Sequence, residues 1–239
     1  MSTRVACLGD SLTRAQFSVD YLDLLGRRRP PGDVRLARFG VNGDFAHNLL
    51  QRLDTVVTNP PDVITVLIGT NDARASLAGY PVERAMKRKQ LPERPSAGWF
   101  QQCLGAVVAR LRAETDARIG LLSLPVLGQQ LDGAAAQASQ AYSRMIAEVA
   151  AGEEVAYLPL HERQSEELRR ADPPPISYRE ATPAVVVGVL VQHTVLRRSL
   201  DTISRRRGLA LTTDHVHQNS RGASLVAEVI DTGLLTRSA

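Results

Sequence analysis

The chain has 239 residues, of which 44% are hydrophobic and 23% charged, and its formal net charge is +4. This balance is typical of a globular protein that is large enough to build one good core. Only 4% of the residues are aromatic, and no nucleic-acid-binding module is visible, so the composition argues against a nucleic-acid partner.

The positive charge comes mostly from arginine, because Lys87 and Lys89 are the only lysines. Basic residues cluster at 27–29, 84–89 and 205–207. Without a binding module or stacking aromatic residues nearby, we interpret these clusters as solvated surface charge.

Two cysteines, Cys7 and Cys103, are present, and Cys7 falls within a predicted buried strand. We therefore expect two core thiols and neither a disulfide framework nor a metal site. The first predicted strand begins by Val5, which leaves no room for a secretory signal. Together these features predict a cytoplasmic protein.

Five segments carry the apolar character of buried or half-buried β-strands and end at glycine, proline or other turn residues. They are Val5–Leu8, Val34–Phe39, Asp62–Ile68, Ala117–Leu124 and Val155–Leu160.

Helical spacing of apolar residues, or a capping residue, predicts helices between these strands. The predicted helices cover Arg14–Leu25, Phe45–Leu53, the stripe that follows Ser96 as far as Leu111, Ala135–Ala150, residues 161–171 and residues 220–235. Residues 73–95 are polar, basic and interrupted by proline, and we expect mainly loop there, with room for one short helix.

A second long helix is predicted from Ala184 to about Arg207, with Thr182 as N-cap and Pro183 in the first turn. Its first half, residues 184–191, is apolar on all sides, yet it is far shorter than the roughly 18 residues needed to cross a bilayer. We therefore expect no integral membrane segment. A core helix, an oligomer contact and a flap over the site all remain open for this stretch.

Strands that alternate with helices predict a parallel sheet with right-handed crossovers and helices on both faces. The fold class is therefore α/β, a three-layer α/β/α sandwich around a five-stranded parallel sheet. No linker or break in composition divides the chain, so we expect one domain over residues 1–239. A less regular, helical insertion is expected at about 161–208.

Polar residues suited to acyl transfer follow several of the predicted strands or precede helices. They are Ser11, the loop Asn42-Gly43-Asp44, Asn71, and Asp214 with His217 three residues later. In a parallel sheet the carboxyl ends of the strands lie along one edge, so these residues can converge there. Together they supply a hydroxyl, a base, a carboxylate to orient the base, and donors for an oxyanion.

These blocks resemble, in kind and in order, those of the GDSL or SGNH hydrolases, whose fold is flavodoxin-like. The blocks appear here as Gly9-Asp10-Ser11-Leu12-Thr13, Gly40-Val41-Asn42-Gly43-Asp44, Gly69-Thr70-Asn71-Asp72 and Asp214-His215-Val216-His217. The Gly-x-Ser-x-Gly elbow of the α/β-hydrolases is absent from the sequence.

The resemblance implies that Ser11 is the nucleophile, that His217 is the general acid–base and that Asp214 orients His217. It also implies an oxyanion hole made by the backbone N–H groups of Ser11 and Gly43 and by the side-chain amide of Asn71. No cofactor is implied, and no set of residues has metal-ligand spacing. Asp10 is expected to brace the loop through hydrogen bonds.

The implied function is a serine esterase that hydrolyses a small-molecule carboxylic ester, lipid or otherwise, through an acyl-enzyme on Ser11. An acyltransferase, a sugar O-deacetylase or a thioesterase would use the same residues and stays open. Residues 184–191 could line an acyl pocket, which favours acyl chains longer than acetyl. The sequence leaves the physiological substrate and the oligomeric state open.

Overall fold

One five-stranded sheet forms the centre of the computed structural model, which describes residues 2–180 and 183–236. Its strands are β1 (Thr3–Gly9), β2 (Val34–Gly40), β3 (Val63–Leu67), β4 (Arg118–Leu122) and β5 (Ala156–Leu158). All neighbouring strands pair in parallel, in the spatial order β2-β1-β3-β4-β5. The predicted α/β class and the five-stranded parallel sheet are confirmed.

Twelve α-helices are found in the described part of the chain. They are α1 (Ser11–Arg14), α2 (Tyr21–Arg27), α3 (Ala46–Leu50), α4 (Asp54–Val57), α5 (Thr70–Ala75), α6 (Val82–Lys89), α7 (Ala97–Glu114), α8 (Ala134–Gly152), α9 (Leu160–Ala171), α10 (Pro183–Thr194), α11 (Leu200–Arg206) and α12 (Ser220–Ile230). A π-helical segment, Asp231–Leu235, continues α12.

The two faces of the sheet carry separate apolar layers, because successive side chains of a strand point to opposite faces. Ala6 and Leu8 of β1 pack into one layer with α3, α7 and α8, whereas Val5 and Cys7 pack into the other with α2, α9 and α12. This is the predicted three-layer sandwich.

The chain runs outward from β1 to β2 on one side of the sheet and from β3 to β5 on the other, so the direction of strand order changes between β1 and β3. The carboxyl ends of these two strands lie side by side. Gly9 at the end of β1 stands level with Gly40 of β2 and Leu67 of β3. In open α/β sheets the ligand crevice lies beyond the carboxyl ends of the strands at such a point. The loops that begin with Asp10, Val41 and Ile68 therefore meet there.

The prediction of one helix over Arg14–Leu25 is wrong, because the structure has two short helices, α1 and α2, with a loop between them. Ala15 adopts a left-handed φ of 59° and ends α1. The Asp20 carboxylate then accepts the Leu22 N–H and starts α2. Phe17, in the loop between the two helices, lines the crevice.

The single helix predicted from Ala184 to about Arg207 is likewise two helices, α10 and α11. Arg197 adopts a left-handed φ of 50°, and Ser199 caps α11 by accepting the Thr202 N–H. The predicted cap Thr182 lies outside the described residues. The helix predicted over Phe45–Leu53 is also shorter, because α3 ends at Leu50 and α4 begins only at Asp54.

The sequence analysis interpreted all three basic clusters as solvated surface charge. In the structure, several of their residues are instead held by ion pairs or hydrogen bonds. Arg28 and Arg29 pair with Asp231, and the Arg207 guanidinium donates to the Thr213 carbonyl at 3.1 Å. In the middle cluster, Lys89 pairs with Asp44, whereas Arg84 and Arg88 are exposed, as predicted, and also line the crevice. Among the described helices, none is long and apolar enough to span a bilayer.

Candidate active site

Ser11 begins α1 directly after the end of β1. The Asp10 carboxylate caps this helix by accepting the Leu12 N–H at 2.9 Å. Gly9 makes the tight exit possible, because a Cβ there would lie 2.4 Å from the Leu67 carbonyl oxygen of the neighbouring strand. The turn presents the Ser11 hydroxyl to the crevice with a relative exposure of 8%.

His217 and Asp214 reach this hydroxyl from the other end of the chain. The Nε2 atom of His217 lies 3.2 Å from Ser11 Oγ, and its Nδ1 atom lies 2.7 Å from Asp214 Oδ2. The imidazole also makes a T-shaped contact with the Phe17 ring at a centroid distance of 5.4 Å. The structure thus brings together the three side chains that the sequence analysis singled out.

The loop around Asp214 holds its carboxylate in the ionised form. Burial alone raises the pKa of Asp214, but His217 and the hydrogen bonds from the His217 and Val216 N–H groups outweigh it and bring the pKa to about 2. A carboxylate that stays ionised can orient an imidazole and stabilise its protonated form.

The two predicted oxyanion residues beyond Ser11 also face the crevice. Gly43 has a φ of +75°, a conformation that favours glycine because it has no Cβ. The Asn71 side-chain nitrogen donates to the Asp44 carbonyl at 2.9 Å, while the Arg74 guanidinium donates to its oxygen at 3.0 Å. In the described part of the chain, the Ser11 and Gly43 amides donate to no protein acceptor.

Three buried carboxyl groups tie the crevice loops together. Asp44 pairs with Arg52 and Lys89 at 2.8 Å each. Asp72 accepts the Ala46 N–H at 3.2 Å, and burial raises the pKa of its carboxyl to about 7.

Asp10, the third carboxyl, is also fully buried beneath the loop. Its burial raises its pKa to about 6, against the lowering effect of the Leu12 N–H and the His217 charge. This location agrees with the expected bracing role.

A cluster that the sequence analysis missed lies beside Asn71. Arg74 is ion-paired with Glu180, and its guanidinium stacks 5.2 Å from the centroid of the Tyr80 ring. The Tyr178 hydroxyl donates to the same Glu180 carboxylate at 2.7 Å. Arg74 lies only two positions after the block Gly69-Thr70-Asn71-Asp72, and this closeness could have indicated a place in the site. It was missed because residues 73–95 were interpreted mainly as loop.

Ser11, His217 and the Arg74–Glu180 pair line one cavity of about 320 Å³. Its floor holds Ser11, Asn71 and His217, and α10 contributes Val186 and Val187 to its wall. Residues 184–191 therefore serve as part of this wall and not as a fully buried core helix. Val187 remains 55% exposed.

No group of three His, Cys, Asp or Glu side chains that could hold a metal ion occurs among residues 2–180 and 183–236. His215, next to Asp214, does not line the cavity, and its ring contacts the Tyr178 ring at a centroid distance of 5.8 Å. Its left-handed φ of 74° makes it a strained residue within the loop.

Solved structures with the same fold include two acetyl xylan esterases. AlAXEase is 20% identical, with a TM-score of 0.69 over 97% of this chain and 99% of that chain. Axe2 from Geobacillus stearothermophilus is 16% identical, with a TM-score of 0.68 over 98% of this chain and 95% of that chain. No curated protein sequence matches the chain.

A family model, described as the GDSL-like Lipase/Acylhydrolase family, matches residues 7–181. The match covers the Ser11, Gly43 and Asn71 blocks and ends before Asp214 and His217. The evidence for these two residues is their contact with each other and with Ser11 in the structure. The chain belongs to the GDSL-like lipase/acylhydrolase family and is a carboxylic-ester hydrolase.

Proposed function

We propose that this hydrolase works through an acyl-enzyme on Ser11. Ser11 Oγ attacks the acyl carbon while His217 Nε2 takes the hydroxyl proton, and His217 then returns that proton to the departing alcohol. Water attacks the acyl-enzyme in the same manner, which releases the carboxylic acid and restores the serine. Asp214 keeps the imidazole in the required orientation and stabilises its cation.

The oxyanion of each tetrahedral intermediate needs preorganised donors. The Ser11 and Gly43 amides are suited to this role, because neither donates to another described residue. Asn71 is the third proposed donor. Its amide is oriented by Arg74, and one of its N–H bonds would turn from the Asp44 carbonyl to the substrate.

The observation that carries the proposal is the continuous contact from Asp214 through His217 to Ser11, at 2.7 and 3.2 Å. The test is Ser11→Ala. We expect loss of 4-nitrophenyl ester hydrolysis with an unchanged circular dichroism spectrum and melting temperature. Ser177→Ala is the matched control, since Ser177 is exposed, does not line the cavity and makes no hydrogen bond with another described residue. Wild-type turnover in the Ser11 variant would disprove the assignment.

The substrate is proposed to be a small acyl ester, with Val186 and Val187 on the wall that contacts its apolar part. Sugar O-deacetylation stays an alternative, because two proteins that share the fold are named acetyl xylan esterases. An acyltransferase would use the same groups, and product analysis with and without an alcohol acceptor distinguishes it from a hydrolase.

We also propose one hydrolase domain over residues 1–239, with a helical insertion at about 161–208 that reaches the cavity. The support is the single sheet and the contribution of α10 to the cavity wall. A cytoplasmic location is proposed on the two cysteines, which are both buried free thiols.

A further inference from the structure

One side of the active-site cavity is cationic. Arg84 and Arg88 both come from α6 and both line the cavity together with Ser11 and His217. They are four positions apart, so they lie on the same face of the helix. Two arginines at this spacing repel each other, and this repulsion destabilises an isolated helix.

The neighbouring charges do not neutralise this pair. Arg74, the third arginine of the cavity, is neutralised by Glu180, and Lys89 by Asp44. Glu83 on the same helix pairs with Arg94. In the portion of the chain that the structure describes, Arg84 and Arg88 have neither an ion pair nor a hydrogen-bond acceptor.

The helix dipole explains only part of this arrangement. Basic residues in a last turn are favourable, and α6 has Lys87, Arg88 and Lys89 there. Arg84 lies a full turn earlier and gains little from the dipole. Arg84 lines the cavity although it is exposed, and neither the dipole nor a charged partner among the described residues accounts for its position there.

Arg88 reaches the place where the ester reacts. Its Nη2 atom lies 2.9 Å from the position that a Cβ on Gly43 would occupy. Gly43 is one of the proposed oxyanion donors, so the guanidinium lies close to the proposed oxyanion site. The other wall, with Phe17, Val186 and Val187, is apolar.

We propose that the substrate is an ester bearing a carboxylate or phosphate group close to the scissile bond, bound by Arg84 and Arg88. Guanidinium groups bind both anions in a bidentate manner. The inference rests on the proposed ester hydrolysis and assigns its substrate class. The apolar wall takes the remainder of the molecule.

The test compares kcat/KM for matched anionic and neutral esters. One pair, 3-acetoxybenzoate and its methyl ester, carries the anion on the alcohol side. A second pair, mono-4-nitrophenyl adipate and its methyl ester, carries it on the acyl side. A third, 3-acetoxyphenyl phosphate and its dimethyl ester, replaces the carboxylate by a phosphate. Because only ratios are compared between variants, the intrinsic reactivity of each ester cancels.

The variant is the double substitution Arg84→Gln/Arg88→Gln, and the control is Lys87→Gln, on the same helix but outside the cavity. We expect the anionic-to-neutral ratio to fall at least tenfold in the double variant for at least one pair, and to stay within twofold in the control. In wild type, the ratio should fall as salt is added.

A smaller fall for all three pairs, or an equal fall in the Lys87 control, overturns the inference while leaving the proposed function intact. If wild type hydrolyses none of the six esters, the proposed function fails and this inference fails with it. Both arginines are exposed, and circular dichroism checks that the double variant is folded.

Discussion

The burial of the Asp72 carboxyl predicts how the free energy of unfolding changes with pH. Asp72 is 2% exposed, and its Oδ2 atom accepts the Ala46 N–H, which joins the loop of Asn71 to the loop of Gly43. Burial raises its pKa from 3.8 to about 7, and the nearby Asp10 adds to this effect. The folded protein therefore holds the Asp72 proton more tightly than the unfolded chain does.

A group whose pKa is raised on folding stabilises the protein fully below its unfolded pKa and loses that contribution as the pH passes its folded pKa. For Asp72 the window runs from about pH 4 to pH 7. A pKa difference of this size corresponds to roughly 4 kcal/mol at most. Because the surroundings of a new charge relax, we expect a loss of about 2 to 4 kcal/mol across the window.

Asp72→Asn removes this titration and keeps an oxygen that can accept the Ala46 N–H. Urea unfolding at pH 4, 5.5, 7 and 8.5, followed by circular dichroism, gives the free energy of unfolding of each protein. The variant should gain about 2 to 4 kcal/mol relative to wild type between the lowest and highest pH.

The matched control is Asp132→Asn, which removes an exposed carboxyl in the loop before α8. Its difference from wild type should change far less with pH. If the difference between Asp72→Asn and wild type is the same at all four pH values, the argument from burial is refuted.

Two further predictions concern catalysis. Asn71→Ala should lower kcat for a short 4-nitrophenyl ester by about 10² to 10³-fold with little change in KM, because it removes one of the proposed oxyanion donors, each worth about 3 to 4 kcal/mol. A change confined to KM would contradict that role. A series of 4-nitrophenyl esters from acetate to octanoate should show higher kcat/KM for chains longer than acetyl, because Val186 and Val187 line the cavity. A steady decrease from acetate onwards would speak against an acyl pocket there and favour the deacetylase alternative.

The sheet could be predicted because the local composition of a short apolar run is enough to indicate a buried strand. The run from Asp62 to Ile68 and the glycine after Leu8 each mark a strand and its end without reference to the rest of the chain. The breaks at Ala15 and Arg197 could not be predicted. Both residues adopt left-handed φ values, which nothing in the local sequence of an alanine or an arginine requires.

The blocks of the site were visible because each consists of turn residues after a strand or before a helix. Their surroundings were not visible, since Arg74 meets Glu180 across 106 positions of sequence. The arginines of α6 were interpreted as solvated charge, and they are exposed, but their position at the cavity could not be seen in the sequence. A helix of basic residues looks alike in sequence whether it faces water or a cavity.

Ser11 and His217 stand 206 positions apart in the chain, and this separation affects when the enzyme can work. Closing so large a loop costs entropy that local structure does not repay. A nascent chain that ends after α11 already contains every strand and the serine, yet it has no base to activate that hydroxyl. On the mechanism proposed above, activity begins only after His217 has been made and has docked against Ser11, so recovery of turnover during refolding should report the docking of the two ends of the chain.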